Sequence, residues 1–242
     1  MSDGKPAIPQ EPDLIWSLKV KKRSIVLFSG GIDSSVVAKQ SLQNDEEVIG
    51  LTVFCRAGNA NHDEAAAADA IAGILGIEHR VLDMSGLGVL FQTKATIFAV
   101  GGQINNCHHD GGDHDHIHNR AFSLGVEMMH MAAMACAVEN NIDTIKWGVH
   151  ADDVSSEERP KMETYLRDMS DLVFSRTGKR VSIETPLIDM TKAEVIELGR
   201  SIGVPINITM SCCQPQDGHP CGICKQCRLR DEAMTAASAL TA

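Results

Sequence analysis

Cys212, Cys221, Cys224 and Cys227 follow one another as C-x8-C-x2-C-x2-C within one short, turn-rich segment. Short C-x2-C knuckles aim consecutive sulfurs at a common point, and four soft ligands at about 2.3 Å are what a tetrahedral zinc ion takes. Pro220 and Gly222 supply the tight bend, and Lys225, Arg228 and Arg230 lie close enough along the chain to offset thiolate charge. The alternative is a pair of disulfides, which requires an oxidising compartment. Met1 to Gln10 is polar and carries no apolar core of a secretory signal, so free thiols and a cytoplasmic setting are expected. Four cysteines leave no coordination position open for a substrate. Such a zinc braces a fold, and the chemistry belongs elsewhere.

A second constellation lies near the other end. Ser24-Ile25-Val26-Leu27-Phe28 is a short apolar run of the kind that forms a buried parallel strand. It leads into Ser29-Gly30-Gly31-Ile32-Asp33-Ser34-Ser35 and then into Val36-Val37-Ala38-Lys39-Gln40, which has helical character. Strand, glycine turn and helix N-terminus together cradle phosphate: glycine lets the backbone approach, amides point at the anion, and Ser34 and Ser35 donate hydroxyls. The segment lacks the terminal G-K-[ST] of a Walker A loop. It resembles S-G-G-x-D-S, the pyrophosphate loop of enzymes that split ATP into AMP and pyrophosphate. The alternative is an ordinary strand–helix turn.

The elements that must hold these two sites alternate. Strands are expected at Val48 to Phe54, His79 to Asp83, Thr144 to Val149 and Ile183 to Ile188. Helices are expected at Asp63 to Leu75, Val126 to Glu139, Pro160 to Val173 and Lys192 to Ile202, the last capped by Thr191 with Glu194 at the capping-box position. Met128, Met129, Met131 and Met134 are read as core of their helix. This alternation predicts a doubly wound, mostly parallel α/β sheet whose ligands bind at the carboxyl ends of the strands. A chain of 242 residues with 43% hydrophobic content can bury the core of one such domain. Its net charge of −10 argues against direct nucleic-acid binding, and six Phe, two Trp and one Tyr offer little material for base stacking. No stretch approaches the roughly 20 apolar residues of a membrane span.

Both motifs in this order resemble the 7-cyano-7-deazaguanine synthase family, over roughly Arg23 to Met234. The resemblance also takes in Gly148-Val149, Ala151-Asp152-Asp153 with Ser155, and Pro186-Leu187-Ile188-Asp189-Met190-Thr191-Lys192-Ala193-Glu194. It continues through Leu198-Gly199, Gly203-Val204-Pro205, Ser211-Cys212 and Cys227-Arg228-Leu229-Arg230. It implies an adenine nucleotide alpha-hydrolase-like fold, with an extension at 1–22, a PP-loop ATP pyrophosphatase domain at 23–210 and a zinc-binding segment at 211–242 packed on it. It implies the cofactors Zn2+, ATP and Mg2+, a deazapurine carboxylate and ammonia as reactants, and a homodimer.

On that resemblance, Ser29, Gly30, Gly31, Asp33, Ser34 and Ser35 hold pyrophosphate and Gly148 belongs to the nucleotide site. Asp33 lies near enough to the phosphates to work with Mg2+. Lys192 is the candidate for charge stabilisation on departing phosphates, or else a solvated first-turn lysine. Asp153 either hydrogen-bonds the purine-like edge or forms a turn. The carboxylate is adenylated, ammonia gives the amide, and a second ATP permits dehydration to the nitrile.

The acceptor end departs from the family pattern. An Arg-Asn pair that helps bind substrate is replaced by Leu124-Gly125-Val126-Glu127, with Asn119-Arg120 nearby. A Tyr-Pro-Asp-Cys stretch has become Ser156-Glu157-Glu158, the Tyr after the first zinc cysteine is Cys213, and a Gln-containing loop has become Cys55-Arg56-Ala57-Gly58-Asn59. These changes leave open a divergent ligase that stops at the amide or joins the carboxylate to another amine, such as a protein. A zinc module that keeps nucleotide without turnover is the alternative of another class. The segment 106–118 packs five histidines, three aspartates and a cysteine, and is read either as a polar lid or as a metal or proton-relay loop in which His116 and His118 merit testing. Cys55 and Cys136 are expected to be buried thiols.

Overall fold

The computed structural model describes residues 21–54, 60–84, 125–212, 215 and 217–240. Five parallel strands are present: β1 (Arg23–Leu27), β2 (Glu47–Phe54), β3 (Glu78–Asp83), β4 (Thr144–Lys146) and β5 (Ser182–Glu184), in the order β3-β2-β1-β4-β5. The chain builds outwards from β1 to β3, then returns to lay β4 on the other side of β1. This reversal opens a crevice above the carboxyl ends of β1 and β4.

Side-chain alternation in β1 feeds two cores, since successive residues of a strand point to opposite faces. Val26 and Phe28 pack with α1 (Ile32–Gln43), α2 (Ala60–Leu75), α5 (Lys192–Ser201) and α6 (Lys225–Leu240) through Val36, Ile71, Ile196 and Ala237. Ile25 and Leu27 pack on the other face with α3 (Gly125–Glu139) and α4 (Arg159–Thr177) through Met134 and Met169. Helices thus cover both faces of a parallel sheet, the doubly wound arrangement the alternation predicts. Met134 is fully buried and Met129 packs against the same core, but Met131 is 38% exposed, so the methionines are only in part core. Cys136 is half-buried.

Three local features differ from the sequence reading. Helix α1 begins at Ile32, so Asp33, Ser34 and Ser35 lie on its first turn and not in the preceding loop. β5 ends at Glu184 and its continuation makes a single bridge, Leu187 to His150, because Pro186 has no N–H to give a ladder. The 16-residue helix α6 was not anticipated. Its core contact is made by Cys227, Ala233 and Ala237, small residues that leave no strong apolar stripe in the sequence.

The expected capping box of α5 is formed: Thr191 N donates to Glu194 Oε2 at 2.7 Å, and Glu194 N to Thr191 Oγ1 at 3.3 Å. Backbone and hydroxyl donors of Thr191 hold the Glu194 carboxyl below its ordinary value. Gly199 of this helix lies where a Cβ would come within 2.8 Å of Val36 Cγ2, which sets α5 directly against α1.

Candidate active site

The turn between β1 and α1 is held by its own serines. Ser29 N donates to Ser34 Oγ at 3.2 Å, Gly31 N to Ser29 Oγ at 3.3 Å, and Ser35 Oγ to the Gly31 carbonyl at 2.7 Å. Gly30 has φ +75°, and a Cβ there would stand 2.6 Å from Ala68 N and 2.8 Å from Glu64 O of α2. Glycine therefore both turns the chain and lets it pass against the α2 backbone. Gly31 caps α1 without a side chain, so the helix start keeps amides available for an anion.

The β4 loop closes over this turn. A Cβ at Gly148 would lie 3.0 Å from Asp33 C and from Ser34 N, so a side chain there would press on the start of α1. Beyond it, His150 N donates to Asp153 Oδ2 at 3.1 Å, and His150 Nε2 is 3.3 Å from the same oxygen and 3.8 Å from Asp33 Oδ1. Desolvation in this wall pushes the Asp153 carboxyl above its ordinary value, with the Asp33 charge adding to the rise and His150 and Lys192 opposing it. From α5, Lys192 Nζ reaches both oxygens of Asp33, at 2.6 and 2.5 Å, and Lys192 N donates to Asp152 Oδ2 at 2.7 Å.

The predicted residues Ser29, Gly31, Asp33, Asp153 and Lys192 thus line one cavity of about 650 Å3, with Arg230 of α6 on its wall. A smaller chamber of about 260 Å3 opens over β1 and β2, and is lined by Phe28, Ser29, Asp33, Ser34, Val53 and Gly148. The two chambers share Ser29, Asp33 and Glu64. Ser35, by contrast, is fully buried and turns its hydroxyl back to Gly31. Asp153 is engaged by His150, and Asp33 by the Lys192 ammonium.

Sequence reasoning passed over His150 and Thr52, and read Arg230 only as a neighbour for thiolate charge and as part of the Cys227–Arg230 run. Thr52 Oγ1 donates to the Phe28 carbonyl and lies 2.8 Å from His79 Nε2, which steadies the β1 end where the chambers meet. A histidine directly after a strand at the sheet reversal was a usable signal for His150. No sequence signal marked Thr52, and none gave the direction in which Arg230 turns. Cys55–Asn59, Asn106–His118 and Cys213 lie outside the described residues.

The four cysteine sulfurs converge, all within 4.8 Å of one another. Cys212 Sγ and Cys224 Sγ are 3.9 Å apart, close to the edge of about 3.8 Å that four ligands at about 2.3 Å would make around one ion. This is far longer than the roughly 2.05 Å of a disulfide. Cys224 N and Cys227 N each point at the preceding cysteine's sulfur at 3.4 Å, as suits thiolates. Backbone N–H groups, that of Ile223 foremost, bring Cys221 down to about 6. The donor set fits a single metal ion.

A doubly wound parallel sheet carrying a serine–glycine turn at its reversal, together with a cysteine cluster that could hold a metal, is of the nucleotide-binding PP-loop type. Residues 23–238 match the family described as queuosine biosynthesis protein QueC, and the chain belongs to that family. It is an enzyme of queuosine biosynthesis by that membership. The 7-cyano-7-deazaguanine synthase of Leptospira biflexa serovar Patoc (strain Patoc 1 / Ames) is 32% identical over 222 residues, covering 87% of this chain and 89% of the relative. That of Gloeothece citriformis (strain PCC 7424) is 30% identical over 220 residues, covering 88% and 90%. In fold, the chain is similar to the U34-tRNA thiolase NcsA from Methanococcus maripaludis, solved with its 4Fe-4S cluster: TM-score 0.52, 18% identity, 92% of this chain and 67% of that one. No helix among the described residues is long and apolar enough to cross a membrane.

Proposed function

We propose that the chain adenylates the carboxylate of 7-carboxy-7-deazaguanine with ATP and delivers 7-cyano-7-deazaguanine. The observation that carries this reading is the convergence of Ser29, Gly31, Asp33 and Lys192 on one cavity at the sheet reversal. The names of relatives matched over most of the chain support 7-cyano-7-deazaguanine as the product.

A carboxylate is a poor electrophile, so its oxygen first attacks the α-phosphorus of ATP and pyrophosphate leaves. The Ser29–Ser34 turn binds the leaving phosphates through amides and hydroxyls, and Lys192 offsets the charge that develops on them. Ammonia then attacks the acyl carbon, AMP departs and a proton is lost, which gives the amide. The amide oxygen takes the adenylyl group of a second ATP, releasing pyrophosphate. Loss of AMP and of both amide protons leaves the nitrile. The smaller chamber over β1 and β2 suits the adenosine, and Asp153 faces the substrate from the β4 loop.

Asp33 together with phosphate oxygens would hold Mg2+, which supplies charge neutralisation in this chemistry. Zinc at Cys212, Cys221, Cys224 and Cys227 would be closed to substrate and structural. A pair of such chains as a homodimer fits the resemblance.

A second reading rests on α3. Val126 is buried and Glu127 Oε2 is buried without a hydrogen-bond partner among the described residues, where the family pattern has an Arg-Asn pair. A rewritten acceptor wall favours a ligase that stops at the amide or uses another amine.

Mass spectrometry of products after incubation with Mg2+-ATP, 7-carboxy-7-deazaguanine and ammonium tests both. Nitrile with AMP and pyrophosphate supports the first reading. Amide or adenylate alone supports the second, and no ATP consumption by folded, metal-loaded protein sinks both.

A further inference from the structure

Arg230 follows Cys227 by three residues on α6, which places the two on one side of the helix about 4.5 Å apart in rise. From the sequence this arginine is a neighbour for thiolate charge. In the fold its guanidinium turns towards the segment 206–211. Nη1 donates to Thr209 O at 3.0 Å, Thr209 Oγ1 at 2.8 Å and Ser211 Oγ at 3.3 Å, and Nη2 donates to Ile206 O at 2.7 Å. That segment is itself tied to the anion loop, since Met210 N donates to the Gly30 carbonyl at 2.9 Å.

The guanidinium therefore stands on the cavity wall that faces Ser29 and Gly31, with Lys225 of the same helix and Lys192 of α5. Burial lowers its pKa somewhat, and the charges of Asp231, Cys227 and Asp33 oppose that. A guanidinium has five N–H donors. Nε and the second Nη2 proton have no protein acceptor among the described residues. Two of the acids on this wall are engaged elsewhere: Asp33 by Lys192 Nζ, and Asp152 by Lys192 N. A half-buried, pre-oriented fork opposite the serine–glycine turn is suited to bidentate contact with phosphate oxygens.

We propose that Arg230 is a pyrophosphate-binding residue, held by the cysteine cluster through α6 so that it faces the Ser29–Ser34 turn across the cavity. This rests on the ATP-splitting reading above. It also gives the cysteine segment a part in the reaction: to bring a second cationic wall to phosphates that the turn grips from one side only. A purely structural Arg230 would instead only tie α6 to the carbonyls of Ile206 and Thr209.

The test is calorimetric titration of Mg2+-pyrophosphate, and separately of AMP, into metal-loaded full chain, Arg230→Gln and Arg230→Lys, with metal content and thermal melts measured alongside. Arg230→Gln is expected to weaken pyrophosphate by about tenfold or more, with AMP affinity and metal content kept. Arg230→Lys is expected to lose about threefold or more, because one ammonium cannot serve Ile206 O and a phosphate together. Unchanged pyrophosphate affinity in Arg230→Gln overturns the proposal, as does an equal loss of AMP affinity or of metal. If Arg230→Gln does not fold, Arg230→Lys decides by the same criterion. If the unsubstituted chain binds neither ATP nor pyrophosphate, the ATP-splitting reading fails and Arg230 falls with it. If it binds pyrophosphate and Arg230→Gln binds equally, Arg230 alone falls.

Discussion

Lys192 Nζ grips both carboxylate oxygens of Asp33, 159 positions earlier in the chain, at 2.6 and 2.5 Å. The contact joins the first turn of α1 to the first turn of α5 across the cavity. In the proposed reaction the ammonium is shared between this carboxylate and the leaving phosphates. Lys192→Met should lower pyrophosphate release by about 10²–10³-fold. The pair is only partly shielded from water, so the melt should move little. A coupled pyrophosphate assay with a thermal melt checks both, and near-normal turnover would remove Lys192 from the chemistry.

Gly30→Ala should act on the fold of the loop. The substitution puts a side chain at φ +75° and drives its Cβ into backbone atoms of Ala68 and Glu64, neither of which can swing aside. A loss of about 2 kcal/mol or more is expected from the backbone strain and the clash together. Denaturant unfolding measures it; a change below about 0.5 kcal/mol would mean that α2 yields freely.

Removal of metal should loosen α6. The purified chain is expected to carry one zinc ion, and a chelator or Cys224→Ser should remove it. The loss should be several kcal/mol of folding free energy, seen as a melt lower by about 2–4 °C for each kcal/mol. Elemental analysis and calorimetry test this. Visible iron–sulfur absorption in the purified protein would replace zinc with a cluster.

Acid should weaken the α3–α4 core through His130. This side chain is fully buried, its Nδ1 lies 2.8 Å from Tyr165 Oη, and burial pulls its pKa down to about 4. The unfolded chain binds a proton near pH 6.5, where the folded chain refuses it. Stability from this site is complete above about 6.5 and falls as pH drops towards about 4, by roughly 3 kcal/mol in all. His130→Gln should flatten that part of the stability–pH profile. A profile as steep as that of the unsubstituted chain would show that other groups govern it.

What the sequence determined by itself is local. The β1–turn–α1 unit is contiguous, and its glycines and serines make their bonds within a few residues of one another. The Thr191–Glu194 capping box and the C-x2-C knuckles are legible for the same reason. Tertiary structure decided everything that depends on the return of the chain to β1. Only the sheet order brings His150 and Gly148 to Asp33, and only the packing of α5 on α1 carries Lys192 there. Helix α6 and the aim of Arg230 were hidden because small residues bury it and long-range backbone carbonyls direct its arginine. Pairings over more than a hundred residues depend on strand order and helix contact, which local pattern does not encode.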